Sequence, residues 1–251
     1  MSELKRTLFY ERHVQAGATM VDFGGWEMPI QYPGGIVEEH LATRSGCGLF
    51  DVSHMGRFRI TGKDAKAFLQ HVLTSNVSAL EVDQAQYAII SNEHGGAIDD
   101  AYLYRFVEDA YILVVNAANA EKDWAHLTNE IKAFDAQITD KSEAVALLSV
   151  QGPKSKEILS DMAGGAFLTE PVKNALGTVN LCGKTAHIAK TGYTGEPVGY
   201  EIFALREDGV FLWDELVKRG AKPIGLGARD TLRMEAGLPL YGHELGLDKD
   251  G

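Results

Sequence analysis

Two adjacent carboxylates, Asp99 and Asp100, are the residues best placed to do chemistry, because they open a run of strand formers, Ala101-Tyr102-Leu103-Tyr104. Ahead of them Gln86-Tyr87-Ala88-Ile89-Ile90 reads as another strand. Between the two, Asn92, Gly95 and Gly96 tolerate the positive φ of a tight reversal. Side chains alternate along a strand, so one carboxylate is expected to face in and the other out. An inward carboxylate is costly unless it is hydrogen-bonded, paired or working on a ligand. On this stretch alone, two solvated turn residues are an equally good reading.

Three segments that follow strands, residues 92–100, 116–119 and 191–201, carry glycine, polar or aromatic residues that suit a ligand. Tyr87, Tyr193 and Tyr241 offer flat stacking faces. A flat heteroaromatic ligand with an amide edge is matched by a carboxylate such as Glu201, which accepts two parallel N–H bonds. An anionic tail wants Arg229 or Arg233, whose guanidinium forks onto a carboxylate. Other chemistries find no support. T-G-Y-T-G-E (191–196) lacks the Lys-Ser/Thr ending of a phosphate loop, and G-L-G-A-R-D (225–230) lacks the third glycine of a dinucleotide fingerprint. No G-x-S-x-G element is present. His54 has no second His, Cys or carboxylate at metal spacing, so a structural histidine is the simpler reading.

The elements that must hold these residues follow from periodicity. A short strand is expected around Ala18–Phe23, and a helix from Gly35 to about Gly46 with one apolar face. Arg57–Thr61, Tyr87–Ser91, Ala97–Phe106, Tyr111–Val115 and Ala136–Thr139 read as strands. Asp64–Leu73 and Glu121–Phe134 read as helices, the second capped by Asn119. Strand, helix, strands, helix, strand over 56–140 is the order of a ferredoxin-like, split βαβ arrangement. The following unit has an apolar strand at Ala144–Val150, a helix Lys154–Met162 and a hairpin turning at Cys182-Gly183-Lys184. A strand Tyr200–Leu205 and helices Gly209–Lys218 and 228–236 complete it. Nothing is expected to pack after Tyr241. The fold class is therefore α+β, two domains with mainly antiparallel sheets flanked by helices.

Composition bounds the function. The chain has 251 residues, 45% hydrophobic and 24% charged, enough for two domains. A net charge of -11 argues against a nucleic-acid surface. Its two cysteines, Cys47 and Cys182, form neither a disulfide framework nor a thiolate metal site, so a reducing compartment, cytoplasm or an organelle matrix, is expected. The start lacks a signal peptide's apolar core, and no run approaches a membrane span.

Seven stretches in order resemble one family: V-D-F-G-G-W-E-M-P-I-Q-Y (21–32), G-L-F-D-V-S-H-M-G (48–56), N-E-H-G-G-A-I-D-D (92–100), V-N-A-A-N-A-E-K-D (115–123), Q-G-P-K (151–154), T-G-Y-T-G-E (191–196) and G-L-G-A-R-D-T-L-R-M-E-A-G-L-P-L-Y-G (225–242). The chain is similar to the T proteins of the glycine cleavage system, tetrahydrofolate-dependent aminomethyltransferases. The resemblance implies a cloverleaf, of which a discontinuous first domain covers 1–53 with 144–245 and an inserted ferredoxin-like domain covers 54–143. Residues 246–251 then link to a C-terminal barrel of about a hundred residues that is absent from this sequence. By position, Asp100 matches the catalytic aspartate, Glu201 the carboxylate that recognises the pterin, and Arg229 a substrate-binding arginine. Tyr87, Asn116, Tyr193, Tyr241 and Met55 match pocket-lining positions. The implied reaction passes the methylene of an aminomethyl-lipoyl H protein to tetrahydrofolate, releasing ammonia, and needs no metal.

Three other readings stand beside it. Related folate enzymes demethylate sulfonio, methoxy or N-methyl compounds on the same fold, but the H-M-G, G-G-A-I-D-D and A-R-D-T-L-R segments favour the T protein. A non-catalytic folate-binding relative supporting iron–sulfur assembly carries K-G-C-Y-x-G-Q-E where this chain has T-G-Y-T-G-E without cysteine. The fragment is also readable as a folding unit, or half of a two-chain enzyme.

Overall fold

In a computed structural model, residues 3–165 and 173–246 are described. The chain begins with α1 (Tyr10–Gln15), β1 (Thr19–Phe23), β2 (Trp26–Gln31), α2 (Gly35–Ser45) and β3 (Gly48–Asp51). It continues through β4 (Gly56–Thr61), α3 (Ala65–Val72), β5 (Gln84–Ser91), β6 (Ala97–Val107), β7 (Ala110–Val115), α4 (Ala120–Glu130) and β8 (Gln137–Asp140). Then come β9 (Val145–Gln151), α5 (Ser155–Met162), β10 (Leu176–Leu181), β11 (Lys184–Ala189) and β12 (Gly199–Leu205). The last elements are α6 (Arg206–Lys218), β13 (Lys222–Ile224) and α7 (Leu226–Glu235). Two compact units result: Met1–His54 with Ala144–Lys173 and Gly177–Leu238, and Met55–Glu143 with Asn174–Leu176 and Pro239–Gly251.

The first unit is built on a sheet of order β10-β11-β12-β9-β3-β13. β12, β9 and β3 pair antiparallel, and β13 adds a parallel edge to β3. Its central strand, β9, is apolar at nearly every position because both faces are buried. Leu148, Val150, Ile202, Leu212 and Trp213 form its core. A two-stranded hairpin, β1–β2, stands apart from this sheet; the sequence reading has only one strand there. The turn is Gly24-Gly25, both at positive φ, which a hairpin of this hand requires.

The second unit is a five-stranded sheet of order β5-β6-β7-β4-β8, with every resolved pairing antiparallel. β8-β4-β7-β6 has the split βαβ order, and β5 is an added edge strand. Phe58, Phe68, Leu69, Leu103, Leu113 and Leu127 form a core between one sheet face and α3 and α4. Gly56 lets the helix start close to the sheet: a Cβ there meets Val115 Cγ2 at 2.6 Å and Ala120 Cβ at 3.2 Å.

Two further expectations change. α6 starts at Arg206, earlier than its apolar periodicity suggests, because Arg206, Glu207 and Asp208 form a polar first turn. The chain beyond Tyr241 is not slack, since the Gly242 N–H donates to Leu245 O (2.6 Å) and the Leu240 N–H to Glu244 Oε2 (2.9 Å). Of the expected linker 246–251, all but Gly246 lie outside the described residues.

Candidate functional site

Asn92 builds the β5–β6 reversal. Its Oδ1 accepts from the N–H of His94 (3.0 Å) and of Gly96 (2.8 Å), and Gly95 adopts φ +81°. Ile90 pairs with Asp99 while Ser91 pairs with Ala97, so Ile98 is one residue too many, a β-bulge. Past the bulge, Asp99 shares the core face with Ile90, Ala101 and Leu103, and Asp100 shares the opposite face with Tyr87 and Tyr102.

Both carboxylates are buried, Asp99 at 0% and Asp100 at 8% exposure. The expected alternation holds, with Asp99 on the core face and Asp100 on the opposite one, but neither is a solvated turn residue: amide and phenol donors replace water on both faces. Register explains the donors. Val115 pairs with Ala101, so the next residue, Asn116, comes level with Asp100. Asn116 Nδ2 donates to Asp100 Oδ1 (2.7 Å) and Asp99 Oδ1 (2.9 Å), and its backbone N–H to Asp99 Oδ2 (3.1 Å). The Tyr87 hydroxyl donates to Asp100 Oδ2 at 3.1 Å. Asn119, expected as a helix cap, makes no side-chain cap bond and instead donates Nδ2 to Asp99 Oδ1 at 2.8 Å. Burial, then the charge of Asp99, raises the Asp100 carboxyl above its ordinary range, against the hydrogen bonds of Asn116 and Tyr87.

Tyr241 joins this cluster from the far end of the chain. Lys122 Nζ donates to the Tyr241 hydroxyl (3.1 Å) and to Ile98 O (2.6 Å), and lies 4.4 Å from the Tyr241 ring centre. Met55, at the start of the same unit, is half-buried, and its carbonyl accepts from the Arg57 guanidinium. Sequence reasoning gave Asp123, the last residue of the 115–123 stretch, no role of its own. It is fully buried in the first turn of α4, four residues before Leu127 and so on the buried stripe, a signal that a polar residue there needs explaining.

In the first unit, the loop between β11 and β12 wraps around Gln151, which the sequence reading places in the Q-G-P-K stretch without giving it a role. Gln151 Nε2 donates to Thr191 O (3.1 Å), and its Oε1 accepts from the Thr194 hydroxyl (2.9 Å). A Cβ at Gly192 or Gly199 meets the Gln151 side chain at 2.2 or 2.4 Å, so those glycines serve close packing rather than a phosphate. Arg44 clamps the loop from α2, donating to Thr194 O (2.9 Å), Glu196 Oε1 (2.6 Å) and, through Nε, Glu235 Oε2 (2.8 Å).

This loop delivers the chain to Glu201, which is half-buried on β12 opposite Ser149 and Ala189. The Thr191 hydroxyl donates to Glu201 Oε2 and orients the carboxylate. Tyr193 is half-buried on the loop itself. Arg229 and Arg233 lie on α7, whose start is anchored by a buried acid: Glu39 accepts from the N–H of Gly225 and of Tyr32, each at 2.6 Å. Arg233 is buried, with Nε on Asp230 Oδ1 (2.7 Å) and Nη1 on Leu238 O (3.1 Å), while Arg229 is half-buried. Among the described residues, no group of three or more His, Cys, Asp or Glu is placed to hold a metal.

Comparison with known proteins gives one answer. The GCVT N-terminal domain model matches residues 9–250. The aminomethyltransferase of Deinococcus deserti is 50% identical over 245 residues, 98% of this chain and 68% of that protein. That of Thermus thermophilus is 50% identical over 242 residues, 96% of this chain and 68% of the relative. The crystal structure of glycine cleavage system aminomethyltransferase T from Bartonella henselae superposes with a TM-score of 0.89 at 36% identity, covering 98% of this chain and 66% of that one. A heterotetrameric sarcosine oxidase from Corynebacterium shares the fold alone, at TM-score 0.51 and 15% identity. The chain thus spans about two thirds of its aminomethyltransferase relatives. It belongs to the aminomethyltransferase family of the glycine cleavage system.

Proposed function

We propose that this chain works as a tetrahydrofolate-dependent aminomethyltransferase in which Asp100 is the catalytic carboxylate. Its substrate is the aminomethyl-lipoyl arm of an H protein, its acceptor is tetrahydrofolate, and its setting is cytoplasmic. The two compact units then correspond to the first two domains of the family's cloverleaf. The observation that carries the reading is the buried Asp100, held by Tyr87 and Asn116 on a strand that a bulge has re-aimed. A fixed, desolvated negative charge stabilises the cationic character that develops on a reacting amine or iminium when ammonia leaves. Such a group needs no reorganisation at the moment of reaction, because its donors are already in place.

Glu201, oriented by Thr191, suits the amino-pyrimidine edge of a pterin, where a carboxylate accepts two N–H bonds. Tyr193 and Tyr87 supply aromatic faces. Arg229, which matches a substrate-binding arginine of the family by position, is the cation proposed for an anionic substrate group.

The test is Asp100→Asn, assayed for transfer from lipoylated H protein and, by calorimetry, for tetrahydrofolate binding. Loss of turnover by about 10²-fold or more with affinity held within about threefold is expected. Near-normal turnover removes Asp100 from this role.

A further inference from the structure

Three carboxylates lie at the start of β6 and α4, Asp123 one helical turn after Asn119, whose carbonyl accepts the Asp123 N–H and whose side chain bonds Asp99. Asp99 receives N–H bonds from Asn116 backbone, Asn116 Nδ2 and Asn119 Nδ2. Asp100 receives Asn116 Nδ2 and the Tyr87 hydroxyl. Asp123 is fully buried, and among the described residues no N–H or other donor reaches either of its oxygens. Its other neighbours do not neutralise a charge. From β4 and β7 the residues on this face are apolar, Phe58 and Val115 among them. Lys122 precedes it on α4 with its ammonium on Ile98 O and Tyr241, and His126, three residues on, is pushed by burial toward its neutral form. A buried carboxylate without a donor is untenable in the ionised state, and the same oxygen as a carboxylic acid needs only an acceptor.

We infer that Asp123 is a positioning residue: a neutral carboxylic acid whose O–H donates to Asp99, so that the two share one proton and one negative charge and together hold Asn116 against Asp100. Asp99 is the member that carries the charge, because three N–H donors converge on it. Asn116 is the bridge, since a single amide nitrogen bonds both Asp99 and Asp100. Burial first, then the charge and the hydrogen bond of Asp99, push the Asp123 carboxyl up to about 9 from 3.8. Were Asp123 ionised, repulsion would drive Asp99 from the amides that set the position of Asp100. The catalytic consequence rests on the reading of Asp100 given above; the protonation state does not.

A direct test follows the carboxyl carbon of Asp123 by ¹³C NMR through a pH titration of the unmodified chain. The expected signal stays at its acid position through about pH 7, where exposed aspartates have ionised near pH 4; ionisation in the ordinary range overturns the proposal. Linkage gives a second readout. A folded-state acid raised above its unfolded value stabilises fully below the unfolded pKa and loses that contribution as pH rises toward the folded one. Between about pH 5 and 8 the unfolding equilibrium constant of the wild type is expected to rise about tenfold more per pH unit than that of Asp123→Asn. Equal slopes overturn the proposal. For catalysis, Asp123→Ala is expected to lower kcat about tenfold with little change in KM, and Asp123→Asn, whose amide still donates to Asp99, to recover most of that loss. No recovery by Asn overturns the positioning role. If Asp100→Asn keeps full activity while the titration behaves as expected, the functional reading fails and the proton-sharing pair stands.

Discussion

At the scale of single residues, the site depends on how each carboxylate is satisfied. Asp100 is raised by burial and by Asp99, and in the proposed role it acts as an anion, so activity is expected to fall as pH drops through its pKa. The acid limb of the kcat profile should therefore lie above the ordinary aspartate range, and a limb near pH 4 would contradict the burial seen here. Glu201 presents a different case, because it is half-buried and the Thr191 hydroxyl orients it. Glu201→Ala is predicted to weaken tetrahydrofolate binding by about 2–3 kcal/mol, the loss of a charged hydrogen-bond acceptor. Titration calorimetry with unchanged affinity would place the pterin elsewhere.

At the scale of elements, helix ends and loops are tied down by buried polar side chains rather than by caps. α7 has no side-chain cap at Gly225; the carboxylate of Glu39 takes that N–H and the Tyr32 N–H together. An acceptor at a helix N-terminus also complements the dipole there. Glu39→Ala leaves two buried donors unmet and is predicted to cost about 2–4 kcal/mol in denaturant unfolding. Because α7 carries Arg229, substrate affinity should fall with it. A stability loss below about 0.5 kcal/mol would mean that water satisfies both donors.

At the scale of the molecule, each unit has a hydrophobic core of its own. Leu103 is fully buried in the core of the second unit. Leu103→Ala is predicted to cost about 2–5 kcal/mol, the transfer and cavity terms of a large-to-small change. Hydrogen exchange should report the loss first in β5, β6 and β7, with β9 and β12 retaining protection, since cooperative units open separately. Equal loss in both sheets would show one cooperative unit instead.

Most elements are readable from sequence because the signals are local. Alternation marks β5 to β7, the 3.6-residue stripe marks α3 and α4, and positive-φ residues mark Gly95 and Gly183. The pair Asp99-Asp100 stands out because carboxylates at the start of an apolar strand are locally anomalous, whereas the choice of Asp100 and the role given to Glu201 come from the family resemblance. What tertiary structure alone decided is non-local. The bulge at Ile98 depends on the pairing of β5 with β6, and it sets which face each aspartate takes. Asn119 looks like a cap until Asp99, twenty residues earlier, takes its amide. Gln151 and Arg44 hold a loop forty or more residues further along the chain, so no short window of sequence contains both partners. Asp123 is silent for the same reason: its meaning comes from a carboxylate on another element and from the absence of water, which only a packed core supplies.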